Sequence, residues 1–174
     1  TTVQLPAGVS LVGPGADQTQ ISIASGDIVF HVANADGVML SGFTVVGSSR
    51  AIGTGILLDG SRNATIAGVG FQDFNQHGLR IQAGLEAPSG ITVCQSTFLR
   101  AGGDAPDRLP YEDTGCIDAD PLTDSVFSEI VIEEQVGSGI RIDAVSPTVA
   151  ANLLFHGLDI RVPPTRNELN APAY

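Results

Sequence analysis

The sequence predicts an all-β fold, a parallel β-helix of about six coils. Three observations carry that prediction. A short motif recurs along the chain, each recurrence breaks into brief stretches of alternating apolar and polar residues, and the i, i+3, i+4 pattern of helices is nearly absent.

The recurrence is clearest where Asn63-Ala-Thr-Ile-Ala-Gly-Val-Gly-Phe71 aligns with Asn152-Leu-Leu-Phe-His-Gly-Leu-Asp-Ile160, sharing the asparagine, the glycine and the apolar positions. Gly37-Val-Met-Leu-Ser-Gly-Phe-Thr-Val45 and Gly90-Ile-Thr-Val-Cys-Gln-Ser-Thr-Phe98 fit the same template. Its central apolar residue falls at Leu11, Leu40, Ile66, Val93, Phe127 and Phe155, with steps of 29, 26, 27, 34 and 28 residues. A second column precedes it: Gly55-Ile-Leu-Leu-Asp59, Gly78-Leu-Arg-Ile-Gln82, Gly115-Cys-Ile-Asp118 and Gly139-Ile-Arg-Ile-Asp143. The longest departure from the repeat runs from Ala101 to Asp113 and accounts for the widest steps. Strands this short cannot bury a face alone, but equivalent strands stacked at about 4.8 Å per coil pair their backbones with the coils above and below and close an apolar interior. An antiparallel sandwich also has short strands, but it lacks self-similarity at this period and would show Asn-Gly or Asp-Gly hairpins.

Composition agrees. The 174 residues suit one domain, expected over 1–174, and the opening directly on apolar alternation reads as a mature or excised segment of a longer protein. With 43% hydrophobic but only 5% aromatic residues and no tryptophan, small and β-branched side chains must fill the core. Eight arginines, no lysine and 19 acidic residues give a net charge of −11, a field that disfavours nucleic acid and anionic membrane surfaces as partners. The missing lysine removes Schiff-base and lysine-base chemistry. No apolar run approaches a membrane span, so no insertion is expected. Cys94 and Cys116 fall in different columns and are expected to be free thiols.

Residues Thr2-Val-Gln-Leu-Pro-Ala-Gly-Val-Ser-Leu-Val-Gly-Pro-Gly-Ala-Asp-Gln-Thr-Gln-Ile21 resemble the opening coil of the right-handed parallel β-helix proteins of the pectin-lyase-like superfamily, and the later coils are similar to its loose repeat over nearly the whole chain. The resemblance implies a right-handed β-helix, and a superfamily of lyases, hydrolases, epimerases, phage tailspikes and surface adhesins. Unpaired strands at the ends of such a stack invite association, so a homo-oligomer or flanking domains are expected to cover them.

Equivalent positions stack, so the second column forms one ladder on one face. Its outward residues are Leu57 and Asp59, Arg80 and Gln82, and Arg141 and Asp143, with His77 at the edge. Strict alignment of Gly115 would point Asp118 into the core, where an unpaired carboxylate costs several kcal/mol. A one-residue slip turns Ile117 and Ala119 inward and Cys116, Asp118 and Asp120 outward. Asp118 and Asp120 would then lie roughly 6.5 to 7 Å apart, with Asp143 one coil away. Such crowding either raises one carboxyl pKa or is neutralised by a hard cation such as calcium, with Asp120 and Asp143 as ligands. The excursion before Gly115 would overhang the ladder and present Tyr111 and Arg108 to a sugar.

Two chemistries follow. In one, an acidic polysaccharide lies along the ladder and a base removes the proton α to a uronate carboxylate, giving elimination or epimerisation. Pectate lyases, which the fold resembles, use calcium-binding aspartates with an arginine as base, which the resemblance would carry to Arg80 or Arg141. Equally, Arg80 or Arg141 clamps the substrate carboxylate and His77 is the base. In the other, Asp118 and Asp120 act as acid and base of an inverting glycoside hydrolase. Gln76-His-Gly-Leu-Arg-Ile81 and Gly139-Ile-Arg-Ile-Asp143 resemble the His-Gly and Arg-Ile motifs of polygalacturonases, but here the aspartates follow the His-Gly motif instead of preceding it. The catalytic candidates are therefore Asp118, Asp120, Arg141 and His77, and the substrate-binding candidates Arg80, Arg108 and Tyr111. Plain surface ion pairing competes for His77, Arg80 and Arg141, and His31 and His156 read as ordinary exposed residues. The function expected is a secreted or cell-surface carbohydrate-active β-helix, lyase or epimerase, assisted by calcium. The alternative is a non-catalytic β-helix of a surface adhesin, tailspike or extracellular structural protein.

Overall fold

A computed structural model describes residues 1–47, 52–102, 115–134, 138–142 and 151–161. Among these residues there is no helix, and every strand pairing is parallel. Each coil contributes three strands. The first holds β1 (Val3–Gln4), β2 (Ser10–Val12) and β3 (Gln20–Ser22), and the second β4 (Ile28–Ala33), β5 (Met39–Ser41) and β6 (Thr44–Val46). The third holds β7 (Thr54–Asp59), β8 (Thr65–Ala67) and β9 (Gly70–Gln72), and the fourth β10 (His77–Gln82), β11 (Thr92–Cys94) and β12 (Thr97–Leu99). The fifth holds β13 (Gly115–Ala119), β14 (Thr123–Ser128) and β15 (Val131–Glu133), and the sixth β16 (Ser138–Ile142), β17 (Ala151–His156) and β18 (Asp159–Arg161). Three six-stranded parallel sheets result: β1-β4-β7-β10-β13-β16, β2-β5-β8-β11-β14-β17 and β3-β6-β9-β12-β15-β18.

The predicted anchors stack in register. Leu11 pairs Leu40, Leu40 pairs Ile66, Ile66 pairs Val93, Val93 pairs Phe127 and Phe127 pairs Phe155, all in the second sheet. Leu40, Ile66, Val93 and Phe127 are fully buried, and Phe71 stacks on Phe98 with ring centroids 4.4 Å apart. Burying each such side chain stabilises the stack by about 1.5 to 3 kcal/mol, which suits a core of Val, Ile, Leu and Phe without tryptophan.

Between the second and third sheets the chain turns in a single left-handed residue, at Gly42, Gly68, Gln95, Glu129 and Gly157 on successive coils. Glycine adopts this conformation freely, whereas Gln95 and Glu129 do so at a cost of roughly 1 to 2 kcal/mol that the neighbouring coils must hold down. The asparagines of the repeat sit at another such corner: Asn63 and Asn152 both have positive φ and donate to Asp36 and Asp124 of the preceding coil, each at 2.8 Å. Asn63 is thus a turn former, as its repeat position suggests.

The slip before Asp118 is present. Ile117 pairs Leu79 and Ile140, and Ala119 pairs Ile81 and Ile142, so the apolar residues of β13 enter the core one place later than Gly115 would dictate. The expectation that Cys116 faces outward fails. Cys116 is fully buried, because the slip sets it in the place of Gly78 and Gly139, where a Cβ points at Phe98, or at Ile132 and Ile160, inside the coil. Neither cysteine forms a disulfide, as expected.

Candidate functional site

The alternation that turns Leu79, Ile81, Ile117 and Ala119 inward turns Arg80 and Asp118 to the opposite face of the first sheet. Cross-strand register sets Arg80 beside Asp118 and Asp118 beside Arg141, a guanidinium–carboxylate–guanidinium column on three adjacent coils. Arg80 Nη1 lies 2.6 Å from Asp118 Oδ2, but off the hydrogen-bond axis, so this pair is a close charge contact. Arg80 Nη2 donates to Asp120 Oδ1 at 2.6 Å, and the Ala83 amide donates to Asp120 Oδ2 at 2.8 Å. Arg141 Nε is 3.5 Å from Asp118 Oδ1, and His77 Nδ1 is 3.8 Å from Asp118 Oδ2.

Burial sets the electrostatics. Asp118 is 1% exposed, and burying a carboxylate is costly unless it is paired; Arg80 and Arg141 supply the pairing from the coils on either side. His77 is also buried, and burial pushes its imidazole below the ordinary histidine range. Asp118 opposes that shift, while Arg80 and Arg141 reinforce it. His77 is therefore a neutral imidazole near pH 7, competent to accept a proton.

Hydrogen-bonding capacity is left open here. Among the described residues, five buried side-chain polar atoms lack a hydrogen bond: His31 Nε2, Asn75 Oδ1, His77 Nδ1, Arg80 Nη1 and Asp118 Oδ1. Three of the five belong to this one cluster, where close charge contacts stand in for aligned hydrogen bonds.

Of the predicted residues, His77, Arg80, Asp118, Asp120 and Arg141 come together. Arg108, Tyr111 and Asp143 lie outside the described residues. The described part of the patch alternates in sign, because Asp118 is flanked by arginines on both coils, and the expected crowding with Asp143 lies outside the described residues. A neighbouring pair was missed. His31 Nε2 lies 3.5 Å from Asp59 Oδ2 on the same face, in register with Leu57 and, through it, with Arg80. The signal was the alternation of β4, which lacks the leading glycine that marks the other coils of that column.

No family model matches the sequence, and no curated protein is significantly similar to it. Among solved structures, the chain is similar to a protein of Parabacteroides merdae ATCC 43184 described as "a putative glycosyl hydrolase". The TM-score is 0.53 at 13% sequence identity, over 91% of this chain and 73% of that one. At that identity the likeness establishes a shared fold and nothing finer.

Proposed function

We propose that this protein is a carbohydrate-active β-helix whose first sheet binds an acidic polysaccharide. The observation that carries the reading is the pair of partly exposed arginines, Arg80 and Arg141, held on one face by the buried Asp118 beside His77. Guanidinium groups are suited to a uronate carboxylate because their planar donors match its two oxygens. The solved neighbour described as a glycosyl hydrolase supports sugar as the ligand class. A polysaccharide substrate places the protein outside the cell or on its surface.

The chemistry follows from the roles the geometry allows. Asp118 is too buried to meet a substrate and acts as a positioning residue that holds Arg80 and Arg141. With a uronate carboxylate on the arginines, its negative charge is offset and the proton on the adjacent carbon becomes more acidic. His77, neutral by burial, is the base that takes it. Expulsion of the glycosidic oxygen from the next carbon gives a lyase product, and return of the proton to the other face gives an epimer. Hydrolysis by Asp118 and Asp120 is less well supported, since Arg80 holds both carboxylates. Calcium finds little support among the described residues, where no group of three or more His, Cys, Asp or Glu side chains assembles and both oxygens of Asp120 are engaged.

The same ion pairing favours a second reading, binding without turnover, as in an adhesin or tailspike. Ultraviolet absorbance on a panel of polyuronates, with calcium and then with a chelator, separates the two. Growth of an unsaturated product that Arg141→Ala abolishes supports the lyase. Retention of wild-type protein on immobilised polyuronate, with neither an unsaturated nor an epimerised product, supports the binder.

A further inference from the structure

The missed pair His31–Asp59 repeats the geometry of Arg80–Asp120. Asp59 lies one coil on from His31 and two residues past its register partner Leu57. Asp120 likewise lies one coil on from Arg80 and two residues past its register partner Asp118. Two basic–acidic diagonals thus stand on one face, two coils or about 9.6 Å apart by strand spacing. Between them Leu57 presents no polar atom.

The two diagonals differ in chemistry. Asp120 is held by an arginine at 2.6 Å, whereas Asp59 has only an imidazole at 3.5 Å, beyond a good hydrogen bond. His31 Nε2 is itself one of the buried atoms without a hydrogen bond, and both side chains are about a fifth to a quarter exposed, at 22% and 24%. A carboxylate arriving here would meet the Asp59 charge with no guanidinium to offset it. A hydroxyl would instead donate to Asp59 beside the His31 ring, adding the hydrogen bond that the imidazole at 3.5 Å does not make.

We propose that His31 and Asp59 form a second sugar station that takes an uncharged ring, so that the preferred ligand is a polysaccharide alternating acidic and neutral sugars. This rests on the reading of the arginine face as the site for the acidic sugar and adds what lies next along the chain. The two-coil spacing suits it, being of the order of the disaccharide repeat of an extended chain.

The test is calorimetric titration with hyaluronate hexasaccharide, in which uronate and neutral rings alternate, and with galacturonate hexamer, in which every ring is acidic. The wild-type protein is expected to bind the alternating hexasaccharide roughly tenfold more tightly, the scale of one hydrogen-bonded polar pair. His31→Ala should erase that preference and leave galacturonate binding unchanged. Asp59→Asn should tighten galacturonate hexamer several-fold by removing the repulsion. Equal wild-type affinities, or a His31→Ala protein that keeps the preference, overturn the second station while leaving the arginine site standing. A wild-type protein that binds neither hexamer overturns both. Circular dichroism on each variant guards against a folding defect, and Asp59→Asn, nearly isosteric, keeps the test open if His31→Ala misfolds.

Discussion

Arg80 of β10 and Asp118 of β13 occupy paired positions on adjacent coils, with Nη1 and Oδ2 2.6 Å apart and the aspartate almost wholly buried. Replacing Asp118 with alanine leaves two guanidinium groups facing one another without their shared counter-charge. A loss of about 3 kcal/mol is expected, the low end for breaking a buried pair, because both arginines keep some access to water. Urea unfolding of Asp118→Ala checks it, and a loss under about 0.5 kcal/mol would show that the column contributes nothing to stability.

His77 makes stability depend on pH in a definite direction. Its imidazole is held below the ordinary value of 6.5 by burial, against Asp118 and with Arg80 and Arg141. In the unfolded chain it protonates as pH falls through 6.5. The folded form resists, so the unfolded state binds more protons, and stability that is full above this value declines below it. Thermal midpoints of the wild type should fall between about pH 7.5 and 5.5, while those of His77→Gln change less over the same window. Parallel curves for the two proteins would contradict the assignment.

The two thiols should differ in reactivity. Desolvation pushes Cys116 up to about 12, so almost no thiolate exists at neutral pH. Cys94 is raised too, by burial and by Glu129, but it is partly exposed. A thiol reagent followed by mass spectrometry should label Cys94 slowly and Cys116 only after unfolding. Rapid labelling of Cys116 in the folded protein would place it on the surface after all.

Phe98 fills the interior between Phe71 and the Gly78 backbone. Phe98→Ala should cost about 3 to 5 kcal/mol, the transfer of the ring plus the cavity it leaves. Gly78→Ala should also destabilise, since its Cβ would stand 2.7 Å from the Phe98 ring. Combining the two should cost less than the sum, because the truncated ring makes room for the new methyl group. Strict additivity in urea unfolding would mean that the contact is relieved elsewhere.

The second sheet was legible residue by residue, because its anchors are one apolar position per coil. The third was concealed by its own regularity: Val45, Phe71, Phe98, Ile132 and Ile160 each follow an anchor by five residues, so two strands read as one motif around a left-handed corner. The arginines, His77 and the two aspartates could be placed on one face from alternation alone. Which of them touch could not, since that depends on side-chain reach across coils. His31 read as an ordinary exposed residue because β4 begins Ile28-Val-Phe, with no glycine to mark its place in the column.

The Arg80–Asp118–Arg141 column also tells β13 where to land. The chain reaches this strand after its longest excursion from the repeat, and the glycine of Gly115 alone would direct it into a neighbouring alignment. In that alignment a carboxylate enters the core, and in one shifted by two residues Cys116 lies between two arginines. The observed pairing sets Asp118 between the two arginines while Ile117 and Ala119 keep to the core. The column acts as an address that the returning strand must match, which leaves the excursion free to change in length without moving the coils that follow.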